Sequence, residues 1–280
     1  MSIVENKNLN PELVANVHED LQPTKERIMG SLSYTASFLG GCVSIGTFSM
    51  GASLIGVLTI TQAILAMAIG CLVIAVALVL IGNCGHKYGI PYIVQLRSSF
   101  GTAGVKIPGV LRGLPAIVWF GFQSWVGAGA INSCFKILWG FDNLPVIFAL
   151  FTILQVSLAI KGFHGIKWLE NFSCVFIVAI LAYMLYIVNT KFAVDISSSF
   201  AGIKGTWGMP FWAATTSFLG IYSTMIINAS DYSRNLKDEI RPVKTGSIYA
   251  IAILPVTLFM GLIGLLVTAA TGNSDPVVVF

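Results

Sequence analysis

The sequence predicts an all-α integral membrane protein, on three observations. Of 280 residues, 56% are hydrophobic and 10% charged, and the mean hydropathy of +0.84 lies outside the balance of a soluble globular domain. Apolar stretches long enough to cross about 30 Å of hydrocarbon recur seven times, near 30–56, 59–83, 107–134, 143–161, 167–189, 208–229 and 246–271. The basic residues alternate with these stretches as the positive-inside rule requires.

Residues 1–29 hold five acids and three bases with no apolar core, so they read as a cytosolic tail and not a signal peptide. From that tail, the first span runs outward and the second returns to a segment with Lys87, Arg97, Lys106 and Arg112. The third leads out to Lys136, the fourth back to Lys161 and Lys167, and the fifth out to Lys191 and Lys204. The sixth ends at Arg234, Lys237, Arg241 and Lys244, and the seventh runs outward again. With Lys7, Lys25 and Arg27 in the tail, only Lys136, Lys191 and Lys204 of the 16 Lys and Arg residues fall outside. The net charge of +4 is therefore topology, and no nucleic-acid partner is expected. The chain stops at Asp275-Pro276-Val277-Val278-Val279-Phe280, at the start of another apolar segment, so a truncated sequence is expected.

Two spans carry the marks of interrupted helices. Around Phe38-Leu39-Gly40-Gly41-Cys42-Val43-Ser44-Ile45-Gly46, glycines, a serine and β-branched neighbours weaken helix where the bilayer cannot satisfy freed backbone groups. In the sixth span, Ser217-Phe218-Leu219-Gly220 repeats Ser37-Phe38-Leu39-Gly40 and runs on into Ile221-Tyr222-Ser223. Breaks five spans apart are the arrangement of inverted repeats, in which discontinuous helices offer carbonyls to a cation and N–H groups to a polar substrate. No Asp or Glu lies deep in any span; Glu170 and Asp231 sit near cytosolic ends. Cation binding by carbonyls and hydroxyls, with an uncharged substrate, fits this composition better than a buried-carboxylate pump.

The third span carries Trp119-Phe120-Gly121-Phe122-Gln123-Ser124-Trp125. Helical spacing puts Trp119 and Gln123 on one face, where an indole stacks a flat heterocycle and an amide pairs with its ring N–H and C=O. Trp125, Trp139, Trp168, Trp207 and Trp212 are assigned to packing or interfacial roles. Cys42, Cys71, Cys84, Cys134 and Cys174 show no metal or redox spacing to one another or to His18, His86 and His164. No nucleophile, metal cluster or acid/base set points to an enzyme, and the spans lack the polar lining of a channel. The sequons Asn171-Phe172-Ser173 and Asn228-Ala229-Ser230 fall on the cytosolic side and are chance matches.

On Trp119-Phe120-Gly121-Phe122-Gln123, Gly70-Cys71, Lys87-Tyr88-Gly89-Ile90-Pro91 and Asn228-Ala229-Ser230-Asp231-Tyr232-Ser233-Arg234, the chain resembles the first nucleobase:cation symporter family, with its cytosine, uracil, allantoin and hydantoin permeases. The resemblance implies a leucine-transporter-like inverted-repeat fold of about twelve helices, of which this chain holds the first seven. Residues 1–29 are then a tail, 30–189 the first five-helix repeat and 190–280 the start of the second. It further implies import of a neutral heterocycle across the plasma membrane by cation symport, with a sodium ion or proton as coupling ion and no other cofactor. The partners implied are the small-molecule heterocycle and the lipid bilayer, with the protein a monomer; an inactive fragment lacking half the cation site is the alternative. By the same resemblance Trp119 stacks the substrate, Gln123 hydrogen-bonds it, and Tyr222, beside Gly220, closes the opposite face where the family's hydantoin transporter has tryptophan. Ser44 stands where that transporter has glutamine, and backbone carbonyls near Gly40 and Val43 match the first-helix half of a sodium site. Asp231 and Arg234 are assigned to an ion pair or helix-end anchor.

Overall fold

The computed structural model describes residues 18–160 apart from 25, then 176, 179–237 and 242–275. Most of the N-terminal tail with Lys7, Lys25, the 161–175 segment with its lysines, His164, Trp168, Glu170, first sequon and Cys174, Arg241 and the terminal 276–280 lie outside the described residues. Among the described residues the regular structure is helical, apart from one parallel β-bridge between Met29 and Leu236.

Helix α1 (Ser31–Cys42) and helix α2 (Ile45–Ala52) together occupy the first expected span and are separated at Val43-Ser44. Both linking residues are extended, at φ −72°, ψ 101° and φ −138°, ψ 135°. Ser44 restarts the helix as an N-cap, its Oγ accepting from the Gly46 N–H at 3.1 Å. Helix α3 (Ile60–Tyr88) opens on a capping box in which Thr59 and Gln62 satisfy each other's backbone N–H groups. It ends at Gly89, which takes the left-handed φ of 68° that a side chain disfavours. Helix α4 (Tyr92–Gly104) connects to the long helix α5 (Lys106–Trp139), which is followed by α6 (Leu144–Ile160).

Beyond the undescribed segment, α7 (Ala179–Lys191) bends by 78° into α8 (Ala193–Phe200). Helices α9 (Met209–Ile227), α10 (Ala229–Ser233) and α11 (Pro242–Thr271) complete the described chain. By length and apolarity, Ile60–Tyr88, Lys106–Trp139 and Ser247–Thr271 each suffice to cross a membrane, and the bent α7–α8 pair adds a fourth candidate. The remaining expected spans fall on shorter helices.

The sixth span differs from expectation. Helix α9 runs unbroken through Ser217–Ser223, and the interruption falls later, at Asn228. One glycine costs a helix only about 1 kcal/mol, and the hydroxyls of Ser217 and Ser223 bond back to Ala213 and Gly220 carbonyls at 2.8 and 2.7 Å. Those bonds spend the hydroxyls on the helix itself. Gly220 is exposed, with no atom within 4 Å of where a Cβ would stand.

The core lies where α1, α2, α3, α9 and α11 meet. Tyr34, Phe38, Phe48, Ile74, Leu78, Tyr222 and Tyr249 fill one buried cluster, and Leu58, Met67, Phe211, Phe218 and Leu265 fill a second. The helices meet at backbone distance: a Cβ on Gly70 of α3 would lie 2.9 Å from the Thr215 carbonyl oxygen of α9. On α11, Gly264 backs directly onto the Phe48 carbonyl of α2 in the same way. Small residues at such crossings replace the hydrophobic driving force that lipid does not supply. Replacing Gly264 with Leu is therefore expected to separate α2 from α11 and cost at least about 1–3 kcal/mol. Thermal size-exclusion profiles in detergent check this, and an unchanged midpoint would show that the crossing tolerates bulk.

Candidate functional site

The break in the first span brings the predicted pair into contact with it. On α5, Gln123 Nε2 donates to Ser44 Oγ at 3.3 Å, so one serine hydroxyl both caps α2 and receives the amide. Trp119, one turn earlier, lies over the start of α2: a Cβ on Gly46 would stand 2.6 Å from the indole Cη2. Only a residue without a side chain admits the ring there. Trp119 remains 40% exposed, with the Phe122 ring 5.6 Å away.

Tyr222 is placed elsewhere. Its ring is buried in the bundle, and its hydroxyl donates to the Cys42 carbonyl at 3.2 Å and meets Thr257 Oγ1 at 2.8 Å. The α9 side chain that adjoins Gly46 alongside Trp119 is Ile221, whose Cδ1 lies 3.1 Å from the same Cβ position. The structure thus brings together Trp119, Gln123, Ser44 and the unforeseen Gly46 and Ile221. Tyr222 it directs to the backbone of the break. Gly220 stays apart. The Gly40 carbonyl accepts from the Val43 N–H at 3.2 Å, which leaves it one lone pair for another partner.

A primary amide carries two donors and an acceptor oxygen, and the Ser44 bond uses one donor. An indole, an amide and a hydroxyl at a helix restart suit a planar uncharged ring with its own N–H and C=O groups. No carboxylate stands among them.

A second polar group gathers at the basic end of the bundle, around the Asn228–Arg234 run. Asp231 Oδ1 accepts from the Tyr92 N–H at 3.0 Å and so anchors the first turn of α4. Burial pushes its carboxyl above the usual range, against the Tyr92 bond and the charges of Arg234 and Arg112, which pull it down. Arg234 turns instead to the Asp20 carbonyl at 2.9 Å, so the anchor expected of Asp231 is present while its ion pair with Arg234 is not. The sequon residue Ser230 is buried and bonded to the Ile81 carbonyl at 3.2 Å. Sequence reading also missed Arg27, whose Nη1 donates to the His86 and Leu236 carbonyls at 2.7 and 3.2 Å. Beside it, Met29 pairs with Asn235 and Lys237 through backbone bonds of 2.9 and 3.1 Å. Only the positive charge of Arg27 was legible.

Comparison with known proteins gives this geometry its relatives. The family model described as permease for cytosine/purines, uracil, thiamine, allantoin matches residues 22–278. The hydantoin permease of Microbacterium maritypicum is 27% identical over 267 residues, covering 91% of this chain and 55% of that protein. The purine-uracil permease NCS1 of Arabidopsis thaliana is 29% identical over 279 residues, covering 91% and 45%. The chain thus spans about half the length of the curated relatives it matches. Among solved structures, the nucleobase-cation-symport-1 transporter Mhp1, closed with bromovinylhydantoin bound, superposes with a TM-score of 0.86 at 25% identity, covering 94% of this chain and 60% of that one. The inward-facing form of Mhp1 gives 0.79 at 27% identity, covering 94% and 59%. The fold is the leucine-transporter-like one expected from the sequence. These relatives are permeases and not enzymes. This chain is a multi-pass membrane protein that belongs to the family of permeases for cytosine and purines, uracil, thiamine and allantoin.

Proposed function

We propose that the chain provides the substrate-binding part of a secondary transporter that imports a neutral nucleobase, allantoin or hydantoin-type heterocycle by cation symport. The observation that carries this reading is the convergence of Trp119 and Gln123 on Ser44 and Gly46 at the helix break. Trp119 stacks the ring, and Gln123 and Ser44 pair with its polar edge. The permeases named above, and the hydantoin bound by Mhp1, support the substrate class.

In this reading the coupling ion is sodium or a proton, and it is a sodium ion that the carbonyls at the end of α1 near Gly40 and Val43 would draw. Hard cations favour such oxygens, and two carbonyls fall short of the shell a dehydrated ion needs, so other oxygens complete it. Residues 30–189 form the first repeat and residues from 190 onward begin the second. The N-terminus lies in the cytosol, the membrane is the plasma membrane, and the protein works as a monomer.

The test is uptake of radiolabelled uracil, cytosine, allantoin and hydantoin by the protein expressed from its complete reading frame. Gln123→Ala is expected to weaken binding of the transported ring by about 1–3 kcal/mol, the cost of stranding its polar partners, with expression unchanged. Unchanged affinity for all four rings would return Gln123 to helix packing.

A second measurement uses the glycine contact. Gly46→Val is expected to push the Trp119 indole from its place and raise the KM, whereas Gly113→Val, also on a helix and with nothing within 4 Å of its Cβ position, is expected to leave transport near normal. Equal behaviour of the two variants would contradict the placing of Trp119 at the site.

A further inference from the structure

Helix α1 stops at Cys42, so the carbonyls of its last turn lack the amide donors that a continuing helix supplies. In hydrocarbon each such group must find a donor within the protein. The Cys42 carbonyl finds the Tyr222 hydroxyl, at 3.2 Å from α9. A phenol has one proton, and with it given to Cys42 the phenol oxygen is left to accept. The Thr257 hydroxyl of α11 stands 2.8 Å from that oxygen, and the Thr47 hydroxyl of α2 stands at 3.5 Å. Tyr222, Thr47 and Thr257 are all buried, at 2%, 0% and 0% exposure. One hydroxyl therefore joins the end of α1, the start of α2, α9 and α11 at a single point.

We propose that Tyr222 is a positioning residue for ion coupling: its hydroxyl fixes the Cys42 carbonyl, and with it the flanking backbone from Gly40 to Val43, in the orientation that receives the coupling ion. It acts through its oxygen and not as a ring stacked on substrate. The inference rests on the reading of Gly40 and Val43 as the cation's backbone ligands. Three features support it. The ring is enclosed in the aromatic and aliphatic core and not beside Trp119. The α9 side chain that does adjoin Trp119 and Gly46 is the preceding Ile221. The hydroxyl is engaged by α1 and α11 at normal hydrogen-bond distances.

The two roles separate on one atom. Tyr222→Phe keeps a stacking ring and deletes the hydroxyl; Thr257→Val removes the partner that holds the hydroxyl, and Thr257→Ser restores it. In uptake by the protein from its complete reading frame, Tyr222→Phe is expected to raise the half-saturating cation concentration roughly tenfold, the equivalent of one lost buried hydrogen bond. Heterocycle affinity at saturating cation is expected to stay near the unmutated value. Thr257→Val is expected to shift cation dependence in the same direction, Thr257→Ser to recover it, and the Tyr222→Phe/Thr257→Val double variant to be no worse than Tyr222→Phe. Unaltered cation dependence in either Tyr222→Phe or Thr257→Val would overturn the proposal, as would a loss of heterocycle affinity without a cation shift. Should Tyr222→Phe not fold, the Thr257 pair decides alone. Ion-independent uptake by the unmutated protein would overturn the coupling reading itself, a result distinguishable from failure of the Tyr222 role.

Discussion

A peptide chain that leaves the helix inside a membrane exposes carbonyl and N–H groups where no water can meet them, and the arrangement around Val43-Ser44 answers that constraint. Ser44 Oγ takes the Gly46 N–H on one side of the break, and the Tyr222 hydroxyl meets the Cys42 carbonyl on the other. Each of these partners is itself held, Ser44 by Gln123 of α5 and Tyr222 by Thr257 of α11. Satisfying the break thus draws four separate parts of the chain to one place. Two of these groups, Ser44 and Gln123, also line the candidate site.

Close packing makes this possible. Bare backbone at Gly70, Gly51, Gly261 and Gly264 lets α3, α9, α2 and α11 approach until side chains would collide, which brings Tyr222 and Thr257 within reach of α1. At the basic end, Arg27 and the Met29–Leu236 bridge tie the entry of α1 to the ends of α3 and α10. Asp231 ties α10 to α4, which leads directly into the helix that carries Trp119 and Gln123. The bonds at this end therefore run through the elements that present the site.

Much of this was legible in the sequence because local backbone chemistry is written locally. The glycines and Ser44 announced the break in the first span, and the spacing of Trp119 and Gln123 announced a shared face. The sixth span misled, because the similarity of Ser217-Phe218-Leu219-Gly220 to the first span says nothing of hydroxyls that bond back into their own helix. The residue that does interrupt it, Asn228, is a turn former whose signal lay inside a motif read for its charges. The sequence offered Tyr222 as a residue but not its bonds to Cys42 and Thr257, since neighbouring positions on a helix face different partners and only the packing decides which. Thr47, Thr257 and Ile221 carried no signal of their own in one sequence, and Gly46 signalled only the break and not the Trp119 ring that lies against it. Their importance arises from chain segments as much as about 200 residues apart meeting at the break.

The central claim, that the break at Val43-Ser44 is the substrate site, is tested most directly by protection of Ser44. In the protein from its complete reading frame, with its native cysteines replaced, Ser44→Cys would be labelled with a small thiol reagent in the presence and absence of heterocycle and coupling ion. The account predicts that the transported ring slows labelling, and slows it more when the ion is present. Labelling at the same rate under every condition, in a variant that still accumulates substrate, would place the site elsewhere.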